Sequence, residues 1–193
     1  DKSPSLAVKE GSGDGSILLK CHAGCTTDAI LAAMGLTAAD LFPAKEGKRT
    51  IQAEYVYADE SGQLLYKKIR YTPKGFSQCR PDGSGGWIFN LQGIRRVLYR
   101  LPELLGQRAI LIVEGEKDVD AAWTLGVPAT CNPDGAGKWD PSYATQLKAV
   151  GVVRVAVIPD NDAPGAAHAA TVAAALHAAG LDVRIVVLPD LPN

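Results

Sequence analysis

From Ala109 onward, short apolar runs alternate with stretches whose apolar positions recur at helical spacing. Ala109-Ile-Leu-Ile-Val113 is continuous, branched and bounded by polar residues, which predicts a strand buried on both faces. Glu116 to Leu125 follows with helical periodicity and is closed by Gly126. Val127-Pro-Ala-Thr130 is long enough for a short strand at most, and Pro141 to Val150 predicts a second helix ended by Gly151. Val152 to Ile158 is the strongest strand pattern in the chain. An alanine-rich helix then runs from Pro164-Gly165 to about Ala179, Gly180 closes it, and Val183 to Leu188 reads as a last strand. The order β-α-β-α-β-α-β predicts a parallel sheet flanked by helices.

The middle of the chain has a different period. Ala53 to Tyr57 and Leu64 to Tyr71 flank Asp59-Glu-Ser-Gly62, which predicts two antiparallel strands joined by a turn within a small curled β unit. Gly75 to Trp87 is polar and glycine-rich, with Asp82-Gly-Ser-Gly-Gly86 as a loop. Gly93 to Leu105 carries arginines into the α/β part. No internal repeat or low-complexity linker is evident.

Composition adds limits rather than a class. The chain has 193 residues, 47% hydrophobic and 21% charged, which excludes collagen, a coiled coil and general disorder. No apolar run approaches the roughly 18–20 residues of a membrane span, and the start at Asp1 is unlike a signal peptide, so a cytoplasmic protein with no membrane partner is expected. Four cysteines, with Cys21 and Cys25 close together and Cys79 and Cys131 isolated, fit a metal site plus spare thiols better than a disulfide framework.

Charge is unevenly spread. Residues 45–108 carry twelve Lys/Arg against six Asp/Glu, whereas residues 109–193 carry five against ten. A basic middle beside an acidic end suits a polyanion-binding surface next to a differently charged module, and equally a solvated surface. Lys67, Lys68, Arg70, Lys74, Arg80, Arg95, Arg96 and Arg100 are interleaved with Tyr66, Tyr71, Phe76 and Trp87. Cations that track phosphates beside aromatic stacking faces suit single-stranded nucleic acid; a β unit with aromatic core residues would look the same.

Two acidic clusters fall where strands end and helices begin, the edge at which open α/β sheets bind ligands. The first is Val113-Glu-Gly-Glu-Lys-Asp118, the second Ile158-Pro-Asp-Asn-Asp-Ala-Pro-Gly165. If the extended backbone continues through the second, its period of two places Asp160 and Asp162 on one face. Carboxylates from two neighbouring strand ends form an oxygen-rich site for Mg2+ or Mn2+, of the kind that serves phosphoryl chemistry. Asx-turn and N-cap roles for Asp160 and Asp162, and helix-start roles for Glu114 and Asp118, are the alternatives. Asp82-Gly-Ser-Gly-Gly86 lacks the following Gly-Lys-Ser/Thr of a P-loop, and nothing resembles an ATPase motor.

These segments, with Asn132-Pro-Asp-Gly-Ala-Gly-Lys-Trp139, resemble the Toprim domain shared by bacterial primases, topoisomerases and some nucleases. Asp1-Lys-Ser-Pro-Ser-Leu6 and Lys20-Cys-His-Ala-Gly-Cys25 are similar to the second half of the zinc-binding domain that precedes Toprim in primases and phage-type primase-helicases. Ile94-Arg-Arg-Val-Leu-Tyr-Arg-Leu-Pro102 points to the same branch. The resemblance implies an α/β fold: residues 1–44 as the end of a zinc-binding domain with a connecting helix, 45–108 as a basic β-rich subdomain, and 109–193 as a Rossmann-like Toprim sheet, truncated at its end.

It further implies a DNA primase, making RNA primers on a single-stranded DNA template from ribonucleoside triphosphates, with a replicative helicase in cis or in trans. Glu114 takes the place of the family glutamate in acid/base chemistry or metal binding. Asp160 and Asp162 take those of the paired metal-binding aspartates, Asp118 a further acidic position, and Lys138 that of a loop lysine which holds a phosphate or makes a salt bridge. Cys21 and Cys25 supply two zinc ligands. The preceding Cys-x-x-His pair is not in this chain, His22 is not expected to complete a tetrahedron, and a structural zinc needs four ligands. Zinc is therefore expected of the full-length protein rather than of this chain. The chain also stops at Asn193, before a further acidic motif of the relatives. A Toprim nuclease and a non-catalytic DNA-binding Toprim module remain the alternative functions; a topoisomerase would need its nucleophilic tyrosine in another domain.

Overall fold

A computed structural model describes residues 5–11, 16–42 and 49–187. The chain divides into two compact units, Asp1–Thr50 and Ile51–Asn193. In the first, β1 (Leu6–Glu10) pairs antiparallel with β2 (Ile17–Cys21), Leu6 opposite Cys21 and Glu10 opposite Ile17. Helix α1 (Thr27–Ala33) follows, its first turn capped by Thr26 Oγ1, which accepts from Ala29 N at 3.2 Å. Leu6, Val8, Ile17 and Leu18 are exposed and Leu31 is buried, the sparse burial expected of a two-stranded ribbon.

The second unit holds two sheets. Strands β3 (Thr50–Ala58), β4 (Leu64–Thr72), β5 (Gly75–Pro81) and β6 (Trp87–Ile88) lie in that order, with β4–β5 and β5–β6 antiparallel. The turn after β3 is closed by Asp59, whose Oδ1 accepts from the amides of Ser61 and Gln63. Within the polar, glycine-rich stretch that the sequence left without a strand assignment, Gly75–Pro81 is a strand. Its pairing with β4 supplies a ladder that local propensity does not announce. The glycine-rich loop begins at Asp82, whose Oδ1 accepts from the amides of Ser84 and Gly86.

The parallel sheet is built from β7 (Ala109–Ile112), β8 (Ala129–Thr130), β9 (Arg154–Val157) and β10 (Asp182–Ile185), in the spatial order β10-β9-β7-β8. Helices α2 (Glu116–Thr124), α3 (Ser142–Ala149) and α4 (Ala163–Ala178) connect the strands. The mixed α/β fold and the alternation read from the sequence are therefore present, with strands shorter than their apolar runs. Ile112 is in register with Thr130 and with Val157, and Val157 with Ile185, so all four strands end at one level. The steps β7 to β8 and β9 to β10 run in opposite directions across the sheet. Right-handed crossovers then put α2 and α4 on opposite faces, which opens a crevice between the ends of β7 and β9.

One core serves both sheets. Tyr57, Tyr66, Val97, Leu98 and Leu101 are buried in the same cluster as Ile110, Ile112, Val119, Leu147, Val172 and Leu176. Tyr57 and Tyr66 stack with their ring centres 4.5 Å apart. The segment from Val97 to Leu101 is buried without being a strand, so its backbone polar groups need other partners. Gln146 supplies two of them: its Oε1 accepts from Leu98 N and its Nε2 donates to Arg96 O, each at 3.0 Å. Thr130 Oγ1 donates to Tyr99 O, and Tyr99 N donates to Cys131 O. Among the described residues, no helix is long and apolar enough to cross a membrane.

Replacing Gln146 with Leu keeps the volume but leaves the buried Leu98 N and the part-buried Arg96 O without their partner. The expected loss is about 2–4 kcal/mol of unfolding free energy, read from urea denaturation of the intact chain.

Candidate nucleotide and metal site

The two acidic clusters meet at the crevice. Glu114 follows β7, Asp160 follows β9, and the two carboxyl groups are close enough to shift each other's titration. Burial is the main cause that raises Glu114 above the ordinary carboxylate value; the negative charges of Asp160, Asp162 and Asp118 add to it. Asp160 is raised for the same first reason, with Asp118 and Asp162 next. Partly buried like charges of this kind call for a proton or a cation between them.

Asp162 departs from the expectation. The strand ends at Val157, Asp162 N donates back to Asp160 O at 2.8 Å, and the backbone turns before α4, so period-two alternation does not align the two aspartates. Asp162 is the N-cap of α4: its Oδ1 accepts from Gly165 N at 2.7 Å. Its charge still acts on Glu114 and Asp160. Gly165 is required by close approach, since a Cβ there would lie 2.7 Å from Asp160 O and 3.0 Å from Asp162 Oδ1. The motif Asp-Asn-Asp-Ala-Pro-Gly thus packs a helix start tightly against a strand end.

A cleft of about 570 Å³ opens over these carboxylates. Glu114, Asp118, Lys117 and Asp160 line it from the parallel sheet, Lys68, Arg70, Lys74, Phe76 and Gln78 from the antiparallel sheet, and Pro133, Asp134 and Gly135 from the loop after β8. Of the cations expected to meet polyanion, Lys68, Arg70 and Lys74 reach this cleft. Lys68 shares the inner face of β4 with Tyr66 and is largely buried; its Nζ donates to Glu116 Oε1 at 2.7 Å and to Pro133 O at 2.8 Å. Tyr57 OH donates to the same Glu116 oxygen at 2.6 Å. Lys68 is therefore a structural tie as well as a cleft residue.

The remaining cations lie elsewhere. Lys67 pairs with Glu54 and sits 4.1 Å from the Trp87 ring centre, Arg95 pairs with Glu60, and Arg96 donates to Gln78 Oε1. Arg100 pairs with Asp120 at 2.7 Å from a left-handed backbone conformation of φ 56°. Arg80 lies on β5 opposite Ile88, its buried Nε without a partner among the described residues. Lys138 stands at the end of the loop after β8, and its side chain makes no ion pair among the described residues.

Sequence reasoning passed over Glu116 as a contact residue, along with Lys117, Gln78, Asp134, Asn132 and His168. Glu116 stands inside the acidic motif but had been assigned to the helix start. His168 falls on the stripe Gly165, His168, Ala169, Val172, Leu176, whose helical spacing marks it as inward-facing.

Metal fit differs between the two cysteine and carboxylate sets. Mg2+ is typically held by one or two carboxylates together with substrate phosphates, and the Glu114–Asp160 pair offers that much. Among the described residues, no three His, Cys, Asp or Glu side chains are gathered as ligands for one ion. Cys21 Sγ donates to Ser5 Oγ at 3.9 Å, and the backbone amides of Cys25 and Ala23 bring the Cys21 thiol down to about 7. Two thiols are half of a tetrahedral zinc set. Cys79 and Cys131 are buried and free.

No family model and no curated protein matches the chain. Solved structures do. The zinc-binding and RNA polymerase domains of the Aquifex aeolicus primase match with a TM-score of 0.55 at 16% identity, over 87% of this chain and 44% of that one. The fold resembles that of a bacterial primase. The primase fragment of the bacteriophage T7 primase-helicase protein matches with a TM-score of 0.49 at 21% identity, over 70% of this chain and 53% of that one. The chain thus spans about half the length of these primase structures.

Substitutions at Asp162 and Glu116 separate structure from chemistry here. Asp162→Asn keeps a capping oxygen and is expected to hold stability within a few tenths of a kcal/mol, whereas Asp162→Ala loses about 1 kcal/mol in urea denaturation. Glu116→Gln leaves the Lys68 ammonium without its counter-charge and is expected to cost about 3 kcal/mol; adding Lys68→Met should recover most of that loss.

Proposed function

We propose that this chain is part of a Toprim-type DNA primase, which joins ribonucleoside triphosphates into RNA primers on single-stranded DNA by metal-dependent nucleotidyl transfer. The observation that carries the reading is the pairing of Glu114 and Asp160 in one cleft whose facing wall presents Arg70, Lys74 and Phe76, on a fold that resembles a bacterial primase. Acid on one wall and base on the other is the charge pattern that a metal–triphosphate complex requires.

In this reading Glu114 and Asp160 hold a Mg2+ or Mn2+ ion, with the charges of Asp118 and Asp162 adding to the local field. The bound ion would neutralise the triphosphate and favour ionisation of the primer 3′-hydroxyl. Arg70, Lys74 and Lys117 draw the phosphates into the cleft, and the half-exposed Phe76 ring, flanked by Lys68 at 5.0 Å and Arg70 at 5.9 Å, offers a base a stacking face. Lys67 with Trp87, and the exposed Phe89, extend the surface available to a template strand. A zinc-binding segment completed by further ligands, and a replicative helicase in cis or in trans, belong to the same proposal.

Glu114→Gln and Asp160→Asn keep size and hydrogen bonding while removing charge. Titration calorimetry with Mn2+ is expected to show saturable binding to the native chain, weakened at least about tenfold in either variant with no loss of thermal stability. Template-dependent incorporation by the full-length protein should fall on the order of a hundredfold or more. Variants that retain full incorporation would sink the proposal; DNA affinity without any product in the native protein would mark a binding module.

A further inference from the structure

The wall of the cleft formed by Pro133, Asp134 and Gly135 belongs to a loop clamped from two sides. At the front, Lys68 Nζ donates to Pro133 O at 2.8 Å and Gln78 Nε2 donates to Asp134 Oδ1 at 2.9 Å. At the back, Gly137 N donates to His168 Nδ1 at 3.0 Å. Because Nδ1 accepts, the ring proton sits on Nε2, which donates to Asn132 Oδ1 at 3.1 Å. Asn132 Nδ2 in turn donates to Gly135 O at 2.7 Å, so the buried imidazole closes a ring of contacts around residues 132–137. Gly135 and Gly137 both have left-handed φ values, 75° and 76°, which let the loop fold back over the imidazole.

We propose that His168 is a positioning residue for the nucleotide cleft: its neutral imidazole, bridging Gly137 N–H and Asn132, holds the loop wall in the shape that receives a nucleoside triphosphate. The proposal rests on the nucleotide reading of the cleft. The function of the bridge is specific to an acceptor on one side and a donor on the other, and protonation destroys it by placing a second N–H against Gly137 N–H.

Burial alone holds His168 below the ordinary imidazole value; no Asp, Glu, Lys or Arg enters its shift, and the groups bonded to the ring, Asn132 and the Gly137 backbone, are neutral. A released ring binds a proton more readily than the clamped one. The clamp is therefore fully present above the ordinary value of about 6.5 and is lost as pH falls through the lowered one.

The test uses the intact chain, ATP with Mg2+ as the probe, and two readouts across pH 5.5–8: ATP affinity, and amide hydrogen exchange over residues 132–138. The native chain should lose ATP affinity toward low pH as Gly137 exchange accelerates. His168→Ala should bind ATP about tenfold more weakly at neutral pH, with a flat pH profile. His168→Asn, whose Oδ1 can take the place of Nδ1, should restore Gly137 protection and most of the affinity, still without the pH dependence. ATP affinity indifferent to His168→Ala, or Gly137 protection indifferent to pH, would overturn the positioning role alone. No ATP binding by the native chain would overturn the nucleotide reading, and this role with it.

Discussion

A lysine on the inward face of an antiparallel sheet has to find a counter-charge, and in this protein it finds Glu116 at the first turn of the helix that follows β7. Tyr57 joins the same carboxylate oxygen, and the lysine reaches on to Pro133 O. Three separate pieces of chain, the antiparallel sheet, the start of α2 and the loop after β8, are thereby tied at one buried point. Ion pairs of this kind add little net stability over an apolar substitute, yet breaking one is costly, so the tie chiefly selects a single arrangement of the pieces. That arrangement sets the basic wall opposite the acidic one.

The acidic wall follows from strand register. Four parallel strands that end at one level bring their following residues to one edge, and the reversal of direction between β7 and β9 leaves a gap there. Glu114 and Asp160 are neighbours because of that gap, although 46 positions in the chain separate them. Partial burial, with the negative charge gathered at this edge, raises the pKa of both and suits a cation between them. The helix caps that shape the edge and the carboxylates that charge it come from the same short motif, so chemistry and local structure are not separable at Asp162.

The basic residues show the opposite behaviour. Their composition forms one dense group in the chain, yet folding disperses them: Arg70 and Lys74 face the cleft, Lys67, Arg95 and Arg100 are in ion pairs within the chain, and Lys68 is spent largely inside. Surface pairs of that kind are weak and exchangeable with phosphate, whereas the buried one is not.

The alternation of apolar runs with helical stretches was enough to determine the β-α-β-α-β-α-β order, the glycine stops and the two strand ends that carry acid. Each of those depends on residues close together in the chain, where backbone sterics and side-chain period act directly. Asp162 as a cap was equally legible, since capping is a local hydrogen bond. What the chain order could not show was partnership: the strand at Gly75–Pro81, the buried union of Lys68 with Glu116, and the imidazole of His168 behind the loop of Asn132 and Gly137. These contacts join residues from 4 to 48 positions apart, and only the packing of two sheets on one core decides which polar groups are left facing one another when water is removed.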